Sequence, residues 1–311
     1  MPREIFGPDH VFLPRSSLLT FDEIFRFAKV AVSSGIEKIR LTGGEPLLRK
    51  DIEHLIAKLA TLRTPAGNKI DLTLTTNGTL LGKKAAALKE AGLTRVTVSL
   101  DALNQDIFAQ MSDSRVSVET VLDSINQAGE AGLKPVKVNM VVRKGINDHQ
   151  ILPMARHFRG SGHILRFIEY MDVGDTNGWN MQEVVTGKEI IDIISTEFPL
   201  KSREAEHHGQ VAKSWEYKDG AGEIGVITSV SQPFCGDCTR LRLSPEGKMF
   251  LCLFASKGFD IRAMLRSGAS DQEIQSRLAS VWGARTDQYS EQRGANMPTD
   301  GPKIEMSYIG G

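Results

Sequence analysis

Five short β-like runs in the first half of the chain alternate their side chains in one consistent phase, and this restricts the fold more than any other feature. The runs are Lys38–Thr42, Asp71–Thr75, Arg95–Leu100, Val136–Val142 and Ile164–Ile168. Successive strand residues point to opposite faces. One face reads Arg40 and Thr42, Thr73 and Thr75, Thr97, Ser99 and Asp101, Lys137 and Asn139, then Arg166. The other reads Ile39 and Leu41, Leu72 and Leu74, Val96, Val98 and Leu100, Val136 and Val138, Leu165 and Phe167. Helical segments lie between the runs. Thr20-Phe-Asp-Glu23 is a capping-box pattern before an amphipathic segment that stops at Gly35, and Asp51 is placed to cap a helix carrying Leu55 and Leu59. Further helices are expected up to Ala91, over Val118–Ala131 and around His149–Phe158. Strands alternating with helices predict an α/β chain whose parallel sheet is curled into a barrel or partial barrel.

A small closed barrel fills its interior with branched aliphatics. A polar, partly cationic interior instead implies an open cavity with a ligand. Arg40, Lys137 and Arg166 on that face suit a polyanion such as a polyphosphate. The alternative is a solvent-exposed sheet face, which parallel sheets seldom show because helices cover both sides.

Beyond residue 172 the rhythm breaks. Asp172–Gly178 is loop-like, Lys188–Thr196 is a short helix, and Glu223–Thr228 is a further strand. The chain's three cysteines all follow, as Cys235-Gly-Asp-Cys238-Thr-Arg-Leu-Arg and then Cys252, a C-x2-C-x13-C spacing. A hairpin is expected over Arg240–Leu243 and Lys248–Phe254, with a last helix at about Asp271–Trp282. Clustered thiolates in an otherwise cysteine-free chain point to one soft metal centre. Three cysteines would leave one iron of a four-iron cluster free for a non-protein ligand. A zinc site is the rival, but it needs a fourth ligand, and His207 and His208 lie well upstream.

The formal net charge over 311 residues is zero, so bulk attraction to nucleic acid is not expected and anion binding must come from placed side chains. The odd cysteine count does not make a secreted disulfide framework. No apolar run approaches a membrane span, and there is no signal-peptide core. A cytoplasmic protein is the expectation, with no membrane association.

Taken in order, Leu41-Thr-Gly-Gly-Glu-Pro46, Thr75-Thr-Asn-Gly78, Val98-Ser-Leu-Asp101, Lys137-Val-Asn139, Arg166-Phe-Ile-Glu-Tyr-Met171 and the cysteine triplet resemble the GTP 3′,8-cyclase family of radical S-adenosylmethionine enzymes. The resemblance spans the whole chain. It implies a partial (β/α) TIM-type barrel over residues 1–171, and a C-terminal iron–sulfur and substrate-binding region over 172–311 that ends in Gly310-Gly311, a tail that in the family reaches the active site. It also implies that Gly44, Ser99 and Met171 line S-adenosylmethionine. Arg40, Thr75, Lys137, Arg240, Leu241 and Arg242 would contact GTP, and Cys235, Cys238 and Cys252 would hold a [4Fe-4S] cluster whose open iron meets the guanine. The implied reaction is radical formation of 3′,8-cyclo-7,8-dihydro-GTP for the molybdenum cofactor. An electron donor and a downstream cyclic pyranopterin synthase are the implied partners; a homodimer is left open.

One departure stands out. The family carries an N-terminal C-x3-C-x2-C motif for the cluster that cleaves S-adenosylmethionine, and Met1-Pro2 corresponds to the residues just after it. The first barrel strand and an early GTP-contacting arginine fall in the same stretch. The expectation is a longer reading frame carrying a second [4Fe-4S] site upstream. The alternatives are a non-catalytic GTP- and iron–sulfur-binding paralogue, or a related radical enzyme acting on a peptide.

Overall fold

The structure, a computed structural model, describes residues 13–174, 178–207, 209–236, 238–285, 289–292, 304–305 and 308. Met1, Pro2, His208, Gly310 and Gly311 lie outside the described residues, as does part of the loop at 172–178.

The barrel begins with helix α1 (Phe21–Ser33), opened by the expected capping box: Thr20 accepts from the Glu23 amide and Glu23 accepts from the Thr20 amide. Next come β1 (Lys38–Leu41), α2 (Ile52–Ala60), β2 (Asp71–Thr76), α3 (Leu81–Glu90), β3 (Arg95–Ser99), α4 (Gln105–Ser112), α5 (Val118–Glu130), β4 (Lys137–Val142), α6 (Ile151–Phe158) and β5 (Ile164–Glu169). Two local expectations need correction. Asp51 precedes α2 but sits at φ 57° and makes no side-chain cap bond. Helix α4 was not anticipated; Asn104 caps it by accepting from the Asp106 and Ile107 amides.

Strands β1 to β5 are parallel neighbours in order. After α7 (Gly187–Ser195), β6 (Leu200–Ser202) and β7 (Lys213–Tyr217), the strand β8 (Glu223–Ile227) pairs parallel to β5 in the same sheet. β7 and β6 then add antiparallel at that edge, and their short polar sequences gave no strand signal. The aliphatic phase is buried in β2 to β5: Leu72, Leu74, Val96, Val98, Leu100, Val136, Val138, Leu165 and Phe167 are at most 1% exposed and form one core with the helices, while Ile39 and Leu41 on the edge strand β1 are half-buried. Burying such a side chain stabilises by about 1.5–3 kcal/mol, which is why this phase cannot slip.

A smaller antiparallel sheet holds β9 (Arg242–Leu243), β10 (Lys248–Phe250) and β11 (Phe259–Asp260), followed by α8 (Ile261–Arg266), α9 (Asp271–Gly283) and α10 (Tyr289–Gln292). The hairpin is shorter than expected, and Arg240 precedes it rather than lying in its strand. This sheet has its own core, in which Met249, Leu251, Ile261, Leu265, Ile274, Leu278 and Val281 meet Phe27, Val30 and Ala31 of α1. α1 also packs Ala28 and Val32 against the barrel core. One helix therefore joins the two parts, reinforced by Arg26–Asp271 at 2.8 Å and Arg266–Glu23 at 2.7 Å. No helix among the described residues is long and apolar enough to cross a membrane.

Candidate active site

Strand register sets the polar face in rows. Arg40 stands beside Thr73 and Thr73 beside Arg95; Thr75 stands beside Thr97 and Thr97 beside Lys137; Ser99 stands beside Asn139, Asn139 beside Arg166 and Arg166 beside Gly225. This face is not a flat, solvated surface. Thr73, Thr97 and Arg166 are buried, Thr75, Lys137 and Asn139 are half-buried, and only toward the rim and the β1 edge are Ser99 and Arg40 exposed. Arg166 donates from Nε to Asn139 Oδ1 at 3.0 Å and from Nη2 to Thr97 Oγ1 at 3.4 Å. Its stem passes over Gly225, where a Cβ would come within 2.9 Å of Arg166 Cγ, so only glycine there leaves room for the guanidinium.

The charges on this face are unbalanced. Burial pushes Lys137 down to about 8, helped by repulsion from Arg166, Arg95, Lys38 and Arg40. Burial also pushes Arg166 down to about 9, with Arg40 and Arg95 adding to it. Arg40 is lowered by the same desolvation and by Arg95, although water reaches it, because protein walls it on most sides. A guanidinium keeps its proton at neutral pH, so this tension is stored as repulsion between fixed charges. Asp71 is the near anion, and it is already engaged by Lys38 at 3.0 Å and by Arg95. Thr75 Oγ1, buried in the middle of the face, makes no hydrogen bond among the described residues. Such a hydroxyl is costly unless a ligand completes it.

At the C-terminal ends of the strands, Glu45 ties two loops together. Its carboxylate accepts from Thr76 Oγ1 at 2.8 Å, the Asn77 amide at 2.8 Å and the Leu47 amide at 3.0 Å. Gly43 in the same loop has φ 134°, a backbone state that side chains rarely adopt. Gly44 and Ser99 are exposed at this rim and Met171 is half-buried just beyond β5.

The cysteine segment approaches the cation face from the C-terminal region. Arg240 is close enough to repel Arg40 across the two parts. It also lies over the Phe234 ring at 5.1 Å and donates from Nε and Nη2 to Cys238 Sγ, both at 3.3 Å. Burial works against the Cys238 thiolate, but Arg240 and Arg285 outweigh it and bring the thiol down to about 7. Cys235 and Cys238 share one turn, the Cys238 amide donating to the Cys235 carbonyl at 3.1 Å. Cys238 and Cys252 both favour the charge on Arg242, which burial chiefly, and Arg240 next, push down to about 10. The structure thus gathers Cys238, Arg240, Arg242 and Cys252, while Leu241 belongs to the partly buried rim of the α1–α9 core. None of the three cysteines is in a disulfide, and among the described residues no three His, Cys, Asp or Glu side chains stand close enough to hold a single ion.

Several residues of this neighbourhood escaped the sequence reading. Arg95 shares the phase of Thr97 and Ser99 and was legible two positions upstream of Thr97. Arg285, whose Nη1 donates to the Cys238 carbonyl, and Glu291, whose Oε1 accepts from the Gly236 amide at 3.0 Å, gave no signal at all. Tyr289 stacks on Phe254 at 4.5 Å and donates to Asp172 Oδ2 at 2.6 Å. α10 thereby closes over the cysteine loop.

Residues 6–158, which contain the parallel strands with the cation-bearing face and the glycine-rich rim loop, match the Radical SAM superfamily. Residues 163–291 match Molybdenum Cofactor Synthesis C. The GTP 3′,8-cyclase of Acidothermus cellulolyticus is 47% identical over 337 aligned positions, covering 100% of this chain and 91% of that protein. The one from Staphylococcus aureus strain JH9 is 46% identical over 318 positions with the same coverage. Of solved structures, the [FeFe]-hydrogenase maturase HydG aligns with 61% of this chain and 44% of its own at 14% identity and a TM-score of 0.46. The chain belongs to the GTP 3′,8-cyclase family of radical S-adenosylmethionine enzymes.

Proposed function

We propose that this chain binds GTP between its barrel lumen and its cysteine segment and acts as a GTP 3′,8-cyclase in molybdenum-cofactor biosynthesis. The observation that carries the reading is the unbalanced cation face of Arg40, Lys137 and Arg166, with the unmet hydroxyl of Thr75 among them. A triphosphate brings the charge this face is missing. Each charge-assisted contact contributes about 1.5–3 kcal/mol. Arg40, Thr75 and Lys137 take the phosphates; Arg240, Leu241 and Arg242 hold the nucleoside end beside the cysteines. Gly44, Ser99 and Met171 form the rim against which S-adenosylmethionine lies.

Cys235, Cys238 and Cys252 would hold a [4Fe-4S] cluster, and the donor set suits it: soft thiols, one already lowered to about 7 by arginines, which favours the thiolate that iron requires. S-adenosylmethionine would be cleaved on a separate cluster, the one the family holds on its N-terminal C-x3-C-x2-C motif, and would supply the radical that removes the GTP 3′ hydrogen on the route to 3′,8-cyclo-7,8-dihydro-GTP. These side chains position the substrate and keep water from it. An external electron donor and a downstream cyclic pyranopterin synthase are the proposed partners. The proposed division falls at 171/172, with the barrel rim and the phosphate-facing cations before it and the cluster and the nucleoside-facing residues beyond, although β8 from the second part extends the barrel sheet.

Titration of GTP against the anaerobically reconstituted chain tests this. Saturable binding is expected, weakened roughly tenfold to a hundredfold in Lys137→Ala and in Arg242→Ala. Equal affinity in parent and both variants, with fold and iron content intact, would remove GTP from the reading.

A further inference from the structure

Glu169 ends β5 on the apolar phase of the sheet, three residues beyond Arg166, and is completely buried. Its carboxylate accepts from the Gly187 amide at 2.7 Å, the Val230 and Ser231 amides at 2.8 Å each, and Ser231 Oγ at 2.5 Å. Four donors engage the carboxylate's two oxygens, and each comes from a segment distant in sequence. Gly187 opens α7, where the positive end of the helix dipole favours an anion. That helix start is pressed onto the sheet: a Cβ on Gly187 would come within 2.4 Å of Thr228 Cγ2 and 3.0 Å of Val226 Cγ1. Ser231 lies four residues before Cys235, and Glu169 two residues before Met171. One buried carboxylate therefore ties the barrel rim to the root of the cysteine segment.

We infer that Glu169 is a positioning residue for GTP. It fixes the root of the segment carrying Cys235, Cys238, Arg240 and Arg242 at a set height above Arg40, Lys137 and Arg166, so that one triphosphate nucleotide meets both cation groups. This inference rests on the GTP reading above. Glu169→Gln is the discriminating change, because a side-chain amide offers one acceptor oxygen and turns an NH2 toward amide donors. In the reconstituted chain, measured well below its unfolding temperature, Glu169→Gln is expected to keep its iron and weaken GTP binding about tenfold. Combined with Arg242→Ala, the losses are expected to be far less than multiplicative, because the displaced segment no longer delivers Arg242 to the nucleotide. A carboxylate that only stabilises the fold would lower the unfolding temperature yet leave GTP affinity at the parental value, or give simply multiplying losses; either result overturns the inference. Should Glu169→Gln not fold, Ser231→Ala removes one donor alone and is expected to weaken GTP binding about threefold; unchanged affinity there overturns the inference too. Hydrogen exchange separates this proposal from the GTP reading itself. If the parent binds no GTP, the reading fails. The tie of residues 229–238 to the barrel is still upheld if Glu169→Gln raises exchange in that segment while β5 and β8 stay protected, and overturned if exchange there is unchanged.

Discussion

The lumen face and the cysteine segment, the two halves of the proposed site, are built by opposite means. On the lumen, Arg40, Thr75, Lys137 and Arg166 come from parallel strands whose register is locked by an apolar phase on the other side. Strand register sets their positions, and mutual repulsion is the cost of holding them there. Around the cysteines, a two-residue strand and a turn carry the functional groups, held by side chains from elsewhere: Arg285 on the Cys238 carbonyl, Glu291 on the Gly236 amide and Glu169 at the root. Fixed cations built on a sheet suit the invariant part of a ligand, its phosphates. A segment braced by distant groups suits the end where a cluster and a base must be fitted together.

The largest effect that separates the two regions is expected from Cys238→Ser. Iron and sulfide in the anaerobically reconstituted protein should fall from about four per chain to below about one, while far-ultraviolet circular dichroism stays parental because no cysteine belongs to either hydrophobic core. Zinc at one equivalent without sulfide in the parent would break the cluster half of the comparison.

Arg166→Ala comes next. It removes the guanidinium that bonds Asn139 and Thr97, and GTP affinity should fall roughly tenfold to a hundredfold with iron unchanged. Gly225→Ala probes the same group from below, since its Cβ would collide with the Arg166 stem. A loss of about 1–3 kcal/mol in unfolding free energy is expected by denaturant titration, together with weakened GTP binding.

A pH series sharpens the contrast further. Lys137 in the free protein titrates at about 8, lowered from 10.5, and a bound phosphate favours its ammonium form. Below pH 8 the ammonium is already present. Above it, binding must take up a proton, so GTP affinity should fall by up to about tenfold per pH unit. Lys137→Met should flatten that slope. The same lysine destabilises the fold at low pH: the unfolded chain holds its proton more tightly, so stability rises with pH between about 8 and 10.5. The smallest effect is expected from Thr20→Ala, which breaks the α1 capping box and should cost about 1 kcal/mol in thermal unfolding, with GTP affinity unchanged.

Legibility in the sequence tracks the same division. The five strands, their two phases and the cations at Arg40, Lys137 and Arg166 were readable because burial on a sheet leaves a period of two in the chain. Glu169 left a fainter mark, a carboxylate in an aliphatic phase, whose meaning depended on donors at 187, 230 and 231. Asp51 shows the opposite failure. A capping residue stands in the right place, but the backbone enters α2 through a left-handed turn and its side chain does not cap.

The sequence by itself determined which residues face inward, where the thiols cluster and, through motif order, the family. It did so because strand periodicity and ligand spacing are local properties, written within a few residues. Only the tertiary structure decided that β8 pairs beside β5, that Arg240 comes near enough to repel Arg40, and that α1 joins two cores. Those facts pair residues tens to hundreds of positions apart. Nothing in a local pattern encodes such a pairing, which is fixed by the burial and hydrogen bonding of the whole chain at once.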